Sequence, residues 1–167
     1  MALGAQTTST VNIYGRARGA GIPYMIEGVL DFALATADKG TALAANDVIP
    51  GLTIPANTMI LGAGLEVLTV HAGTSSNTDF DFGITGGDLD RFVDGFDYDA
   101  AAAGAIAAGA AGGSVVVGAT DTIDLEIQAM TGTTTAGKLR MFAICVDLAR
   151  TSDTSFGANE VDRDTLA

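Results

Sequence analysis

DTIDLEIQAM at residues 121–130 and KLRMFAICVDL at 138–148 decide the fold class. In the first run Ile123, Leu125 and Ile127 alternate with Asp124, Glu126 and Gln128. A period of two belongs to a strand with one face inward and one outward. In the second run Phe142, Ile144 and Val146 share one face, while Leu139, Met141, Ala143 and Cys145 share the other. Both faces are apolar, which predicts a central strand. TGTTTAG at 131–137 reads as the turn between them.

The same pattern extends toward the N-terminus. TDFDFGI at 78–84 puts Phe80, Phe82 and Ile84 on one face, and the polar cluster GTSSN at 73–77 precedes it. Residues 58–71 are rich in β-formers, with Gly62 and Gly64 marking a bulge or bend. Together, 58–71 and 78–84 read as a hairpin. MIEGVLDFALAT at 25–36 alternates, with Ile26, Leu30, Phe32 and Leu34 to one side, and predicts one strand throughout. Residues 37–57 read as a long connection punctuated by Pro50 and Pro55, each of which forces its predecessor to be extended. SVVVG at 114–118 is a short strand, 85–99 an acidic loop, and the Ala/Gly run 100–113 a short helix or packed loop weakened by Gly104 and Gly109. With no helical period of any length, the expectation is an all-β fold. It takes the form of an antiparallel β-sandwich, jelly-roll-like or Greek-key, with an extended N-terminal arm. The divisions are an arm at 1–24, a sandwich domain at 25–149 and a polar tail at 150–167.

Composition narrows the function. A chain of 167 residues suits one domain and can bury a core without disulfides. Twenty Asp and Glu against eight Lys and Arg give a net charge of −12, which repels nucleic acid and keeps a protein soluble. Cys145 stands alone, so no internal disulfide forms and folding in a reducing compartment is expected. The opening MALGAQTTST lacks the basic start and apolar run of a signal peptide, and no stretch suits a membrane span.

Catalytic chemistry finds little to work with. His71 is the sole histidine, placed near a strand end, and no GxSxG elbow accompanies it. Cys145 lies mid-strand and reads as a small hydrophobe. One His and one Cys do not make a zinc site. Seven aspartates crowd between Asp79 and Asp99, and Asp79, Asp81, Asp88, Asp90 and Asp94 are the weak calcium candidates. Their spacing fails the EF-hand pattern, which from Asp79 would put Ile84 where glycine is required. A carbohydrate cleft would want stacking aromatics, and the chain has no Trp and only Tyr14, Tyr24 and Tyr98 as tyrosines. No enzyme activity, resident metal or cofactor is expected. In the arm, Arg16 and Arg18 offer a grip on an acidic partner surface; the plainer reading is an edge strand, TVNIY at 10–14, followed by a loop.

Across residues 46–148 the running pattern resembles small virion proteins of tailed bacteriophages. The residues concerned are IPANTMILGAGLEVLT at 54–69, TDFDFGI, DRFVDGFDYDAAAAGA at 90–105, ATDTIDLEIQ at 119–128 and AGKLRMFAICVDL at 136–148. The resemblance implies a capsid decoration (cement) protein that is made in the host cytoplasm and sits on the outer surface of the head. Its partner would be the major capsid protein, and it would be a homo-oligomer, most often a trimer. Tyr14, Arg16, Arg18 and Tyr24 would then contact the capsid, and Ala105, Ile106 and Ala108 would line an oligomer interface where small side chains let chains approach closely. A tail or head-fibre component is the alternative within a virion. A calcium- or carbohydrate-binding β-sandwich module is the alternative outside one.

Overall fold

The computed structural model describes residues 23–84, 86–109 and 113–148. In chain order these form β1 (Pro23–Asp31), α1 (Phe32–Lys39), β2 (Val48–Ile54), β3 (Thr58–Gly73), β4 (Asn77–Ile84), β5 (Val93–Asp97), β6 (Ile106–Gly109), β7 (Val115–Val117), β8 (Asp121–Thr131) and β9 (Thr134–Asp147). The strands build two antiparallel sheets. One runs β1-β9-β3-β6, with β7 also pairing to β3; the other runs β2-β8-β4-β5. Their inner faces close on a single core that includes Ile26, Leu30, Ile60, Leu65, Leu139 and Met141 from the first sheet and Ile49, Leu52, Phe80, Phe82, Ile123 and Leu125 from the second. The all-β sandwich is therefore the fold. Central β9 lies between β1 and β3, as its two apolar faces predict.

The 58–84 stretch is not a hairpin. β3 and β4 lie in different sheets and do not pair with each other. β3 pairs with β9 and β4 with β8, from Thr58↔Asp147 through Gly73↔Thr134 to Asn77↔Thr131 and Ile84↔Ile123. The two legs thus form one long antiparallel ribbon that bends over the rim of the sandwich. At the bend Thr74 and Ser75 donate their N–H groups to the Thr133 carbonyl, and Ser76 donates to Thr131. The local alternation around GTSSN is correctly read, but periodicity says which face a residue takes and not which strand lies beside it. The crossing is tight. A Cβ on Gly73 (φ 142°) would stand 2.1 Å from the Thr133 carbonyl oxygen, and one on Gly132 (φ 88°) would stand 2.5 Å from that of Thr74. TGTTTAG shrinks accordingly, with β9 already under way at Thr134.

The strand expected over 25–36 ends at Asp31, and a helix takes over. Asp31 caps it, its carboxylate accepting from the N–H of Ala33 (3.0 Å) and Leu34 (3.4 Å). Gly40 closes it, donating to the Thr36 and Ala37 carbonyls. Phe32 and Ala35 face the core at helical spacing, so Leu34, assigned inward by a period of two, is half exposed. Within 37–57 the structure adds β2, with Pro50 at a bulge on an edge strand, where its missing N–H costs no ladder bond. The acidic 85–99 stretch contains β5, and the Ala/Gly run forms strand β6 instead of a helix. Gly104 and Gly109 discourage a helix there, while β3 offers an edge with Gly64 opposite Ala108. The bulge expected near Gly62 is present, between Ile60 and Gly62.

Candidate interaction surfaces

The two sheets present outer faces of opposite character. On the four-stranded sheet, neighbouring rows place Val48, Glu126 and Asp81 together, and Pro50, Asp124 and Gly83 together. Asp79 sits opposite Asp97 across β4 and β5. No Lys or Arg lies in any of its strands. Asp124, expected to point into solvent, is buried and accepts from the Gly51 N–H at 3.3 Å. Asp81 accepts from the Gly95 N–H at 2.7 Å.

Crowding and burial shift these carboxyls. Burial raises Asp79, and Asp97 and Asp99 push it further the same way. Burial also raises Asp81 against the opposing Gly95 bond, with Asp94, Asp90 and Asp79 adding to the rise. Asp124 is raised by burial, with Thr122 and Gly51 opposing. At the turn, Asp88 is raised by its hydrogen bond with Asp90. Asp31 is lowered, chiefly by its bond to Lys138 at 3.0 Å.

A raised carboxyl binds its proton more tightly in the folded chain than in the unfolded one. Between the ordinary value of 3.8 and the raised one, the folded state gains stability as pH falls. Asp31 acts oppositely: its contribution is present above 3.8 and lost as pH falls through its lowered value. The melting temperature is therefore expected to rise on acidification from neutral pH to just above 3.8 and to turn down below it. Melts followed by circular dichroism across this range test the point. A steady fall from neutrality would show that these buried and crowded carboxyls do not govern the pH dependence of stability.

The five-stranded sheet carries exposed apolar side chains outside, set among charged ones. Register aligns Met25, Ile144 and Gly62 in one row, then Glu27, Phe142, Gly64 and Ala108 in the next, then Val29, Arg140, Glu66 and Ile106. Ile106 is 61% exposed, Val116 57% and Ile144 44%. Of the seven large apolar side chains exposed among the described residues, all but Leu34 belong to strands of this sheet. Charge on the face is paired within it. Arg140 bridges Glu66 and Glu27, the latter at 3.5 Å, and Lys138 holds Asp31.

Tyr14, Arg16 and Arg18, with the TVNIY segment, lie outside the described residues. Tyr24 lies on β1 and is 7% exposed, packed into the core. Ala105 precedes β6, and Ile106 and Ala108 point outward from it at the edge of the apolar sheet. The acidic residues singled out for calcium divide among β4 (Asp79, Asp81), the following turn (Asp88, Asp90) and β5 (Asp94). Among the described residues no group of three or more His, Cys, Asp or Glu is arranged to share a metal ion. His71 is partly buried on β3, its ring edge-on to Tyr98 at 6.0 Å. Cys145 is fully buried, and burial pushes its thiol up to about 12, far from the range of a reactive thiolate. The sequence reading missed Ile144 and Phe142 as surface residues. The signal was present: both share the even-numbered face of β9 with Lys138 and Arg140, which must reach water.

No protein-family model and no curated protein matches this sequence. The fold is matched by chains in solved structures of phage capsids. In the capsid of Ralstonia phage GP4 the similar chain is 15% identical with a TM-score of 0.60, covering 88% of this chain and 98% of that one. In the cyanophage Pam1 capsid asymmetric unit it is 14% identical with a TM-score of 0.56, covering 87% and 99%. In the acid-stable capsid of Helicobacter pylori bacteriophage KHP30 it is 16% identical with a TM-score of 0.50, covering 75% and 90%. At such identities the likeness is one of fold.

Proposed function

We propose that the chain is a structural protein of a phage virion, a capsid decoration (cement) protein bound to the outer surface of the head and acting without catalysis. The observation that carries the reading is the end-to-end match to capsid chains of about the same size, in which nearly the whole of the other chain is covered. The division of surfaces supports it: an apolar sheet suited to docking and an acidic sheet suited to facing solvent at high copy number. A buried, unpaired Cys145 suits synthesis in a reducing host cytoplasm. In this reading the partner is the major capsid protein and the protein is a homotrimer, with Ala105, Ile106 and Ala108 at the contact between copies. The arm up to residue 22, with Tyr14, Arg16 and Arg18, fastens the domain to the shell. Its only charged side chains are the basic Arg16 and Arg18.

The test is co-sedimentation of the purified chain with heads assembled without it. Saturable pelleting at a fixed ratio to the major capsid protein, together with greater resistance of the heads to heat, is the expected result. A chain lacking residues 1–22 should keep its melting temperature and lose at least ten-fold in head affinity, about 1.4 kcal/mol. Full-length chain that stays in the supernatant at every concentration would reject the decoration role; undiminished binding by the shortened chain would reject the arm as the anchor.

A further inference from the structure

We infer that the outer face of the five-stranded sheet recognises a cation of the shell, an arginine or lysine set among apolar side chains, which seats beside Glu27 and Glu66. The inference rests on the decoration reading and specifies what its docking face binds.

The charges at the centre of the face each have a partner, yet they do not cancel. Asp31 and Lys138 make a neutral pair. Arg140 serves Glu27 at 3.5 Å and Glu66 as well, so one guanidinium answers two carboxylates and the group keeps a net charge of −1. Its neighbours are apolar. Register sets Glu27 across from Phe142, with Met25 and Val29 on the same side of β1. Arg140 lies between Val29 and Glu66, with Ile106 beyond. Both carboxylates are half-buried there. A purely apolar surface laid over them would strip the remaining water from a charge that has no counter-ion of its own, and that opposes docking. A surface that brings a cation turns the same burial into a charge-assisted hydrogen bond. Phe142 beside Glu27 suits a guanidinium in particular, which binds carboxylate oxygens and packs on aromatic rings.

The folded domain of another copy has no such cation to offer. Lys39, Arg91, Lys138 and Arg140 are the lysines and arginines among the described residues, and each already faces a carboxylate. Arg16, Arg18, Arg150 and Arg163 lie outside the described residues and are the rival source. The shell is the partner that the decoration reading already brings to this face.

The experiment is co-sedimentation of the full-length chain with heads assembled without it, for wild type, Glu27→Gln, Glu66→Gln and Glu126→Gln. Either of the first two leaves a single carboxylate to Arg140 and so a neutral group. Glu126→Gln removes the same charge from the opposite sheet. Glu27→Gln and Glu66→Gln are each expected to bind heads at least about ten-fold more weakly at an unchanged melting temperature, with Glu126→Gln binding as wild type does. A Glu27→Gln or Glu66→Gln chain that binds as tightly as wild type, or tighter, overturns the inference, because a partner without a cation gains when the surplus charge is removed. An equal loss in Glu126→Gln overturns it too, by reporting net charge alone. The loss must also persist in a full-length chain carrying Arg16→Gln, Arg18→Gln, Arg150→Gln and Arg163→Gln; its disappearance there gives the cation to the chain's own ends and sinks the inference. In each of these failures wild type still pellets with the heads and the decoration reading stands. Wild type that never pellets rejects that reading, and this contact with it.

Discussion

Replacing Phe80 with Ala is expected to remove about 3–5 kcal/mol of stability, as deletion of a fully buried aromatic ring does. Phe80 is 0% exposed on β4. Its ring stacks on Phe32 of α1 at 5.4 Å and lies 5.3 Å from Tyr98, while Phe32 and Tyr98 are 5.2 Å apart. The three rings join elements that share little else: the helix, the four-stranded sheet and the segment after β5. Tyr98 carries the connection to the other sheet, donating its hydroxyl to the Thr69 carbonyl of β3 at 2.8 Å. Its own N–H donates to Thr78 beside Phe80. Against a total of about 5–15 kcal/mol for a domain, the loss leaves a protein close to unfolding. Urea titration should show a much lower midpoint at an unchanged slope. A loss below about 1 kcal/mol would mean that the neighbouring rings collapse into the vacated space, against the close packing argued here.

Gly73→Ala is the second large effect, with an expected cost of about 2–6 kcal/mol. Part of it is a non-glycine residue at φ 142°, a region that costs an ordinary side chain about 1–3 kcal/mol. The rest is overlap, since the added carbon would lie 2.1 Å from the Thr133 carbonyl oxygen, and that oxygen accepts the N–H groups of Thr74 and Ser75. The obstruction is backbone, so no rotamer change relieves it. Hydrogen exchange should quicken at Thr74 and Ser75 along with the drop in melting temperature. Gly118→Ala, whose added carbon would meet nothing within 4 Å, serves as the neutral comparison. Equal stability of the two variants would show that the ribbon does not need its tight crossing.

Strand faces were legible wherever one side is buried. Ile123, Leu125 and Ile127 are inward as expected, and so are Leu139, Met141, Ala143 and Cys145 of β9. What escaped the sequence was information held by neighbours. TDFDFGI looks the same whether the strand before it pairs with it or crosses to another sheet. IAAG becomes a strand only because Gly64 lets β6 approach β3. The helix was within reach: Asp31, a run of good helix formers and Gly40 make a capped segment, but Phe32 and Leu34 prolong the alternation of β1 and mask it. For the candidate surface, the Ala/Gly run lies at one edge of the five-stranded sheet, whereas the face beside it was hidden by reading Phe142 and Ile144 as core.

The ribbon also sets the order in which the protein is made and folded. β5, β6 and β7 supply one neighbour each to β4 or β3, but the long ribbon partners of 58–84 lie in 123–147, so both sheets stay incomplete until the last strands leave the ribosome. Each pairing in that ribbon closes a long loop before any contact rewards it, which makes for slow acquisition of structure. Meanwhile the apolar strands β3 and β4 wait with open edges, the condition under which chains stick to one another. The aspartates spaced along TDFDFGI and the acidic stretch after it then act as gatekeepers, keeping nascent copies apart until β8 and β9 arrive to cover them.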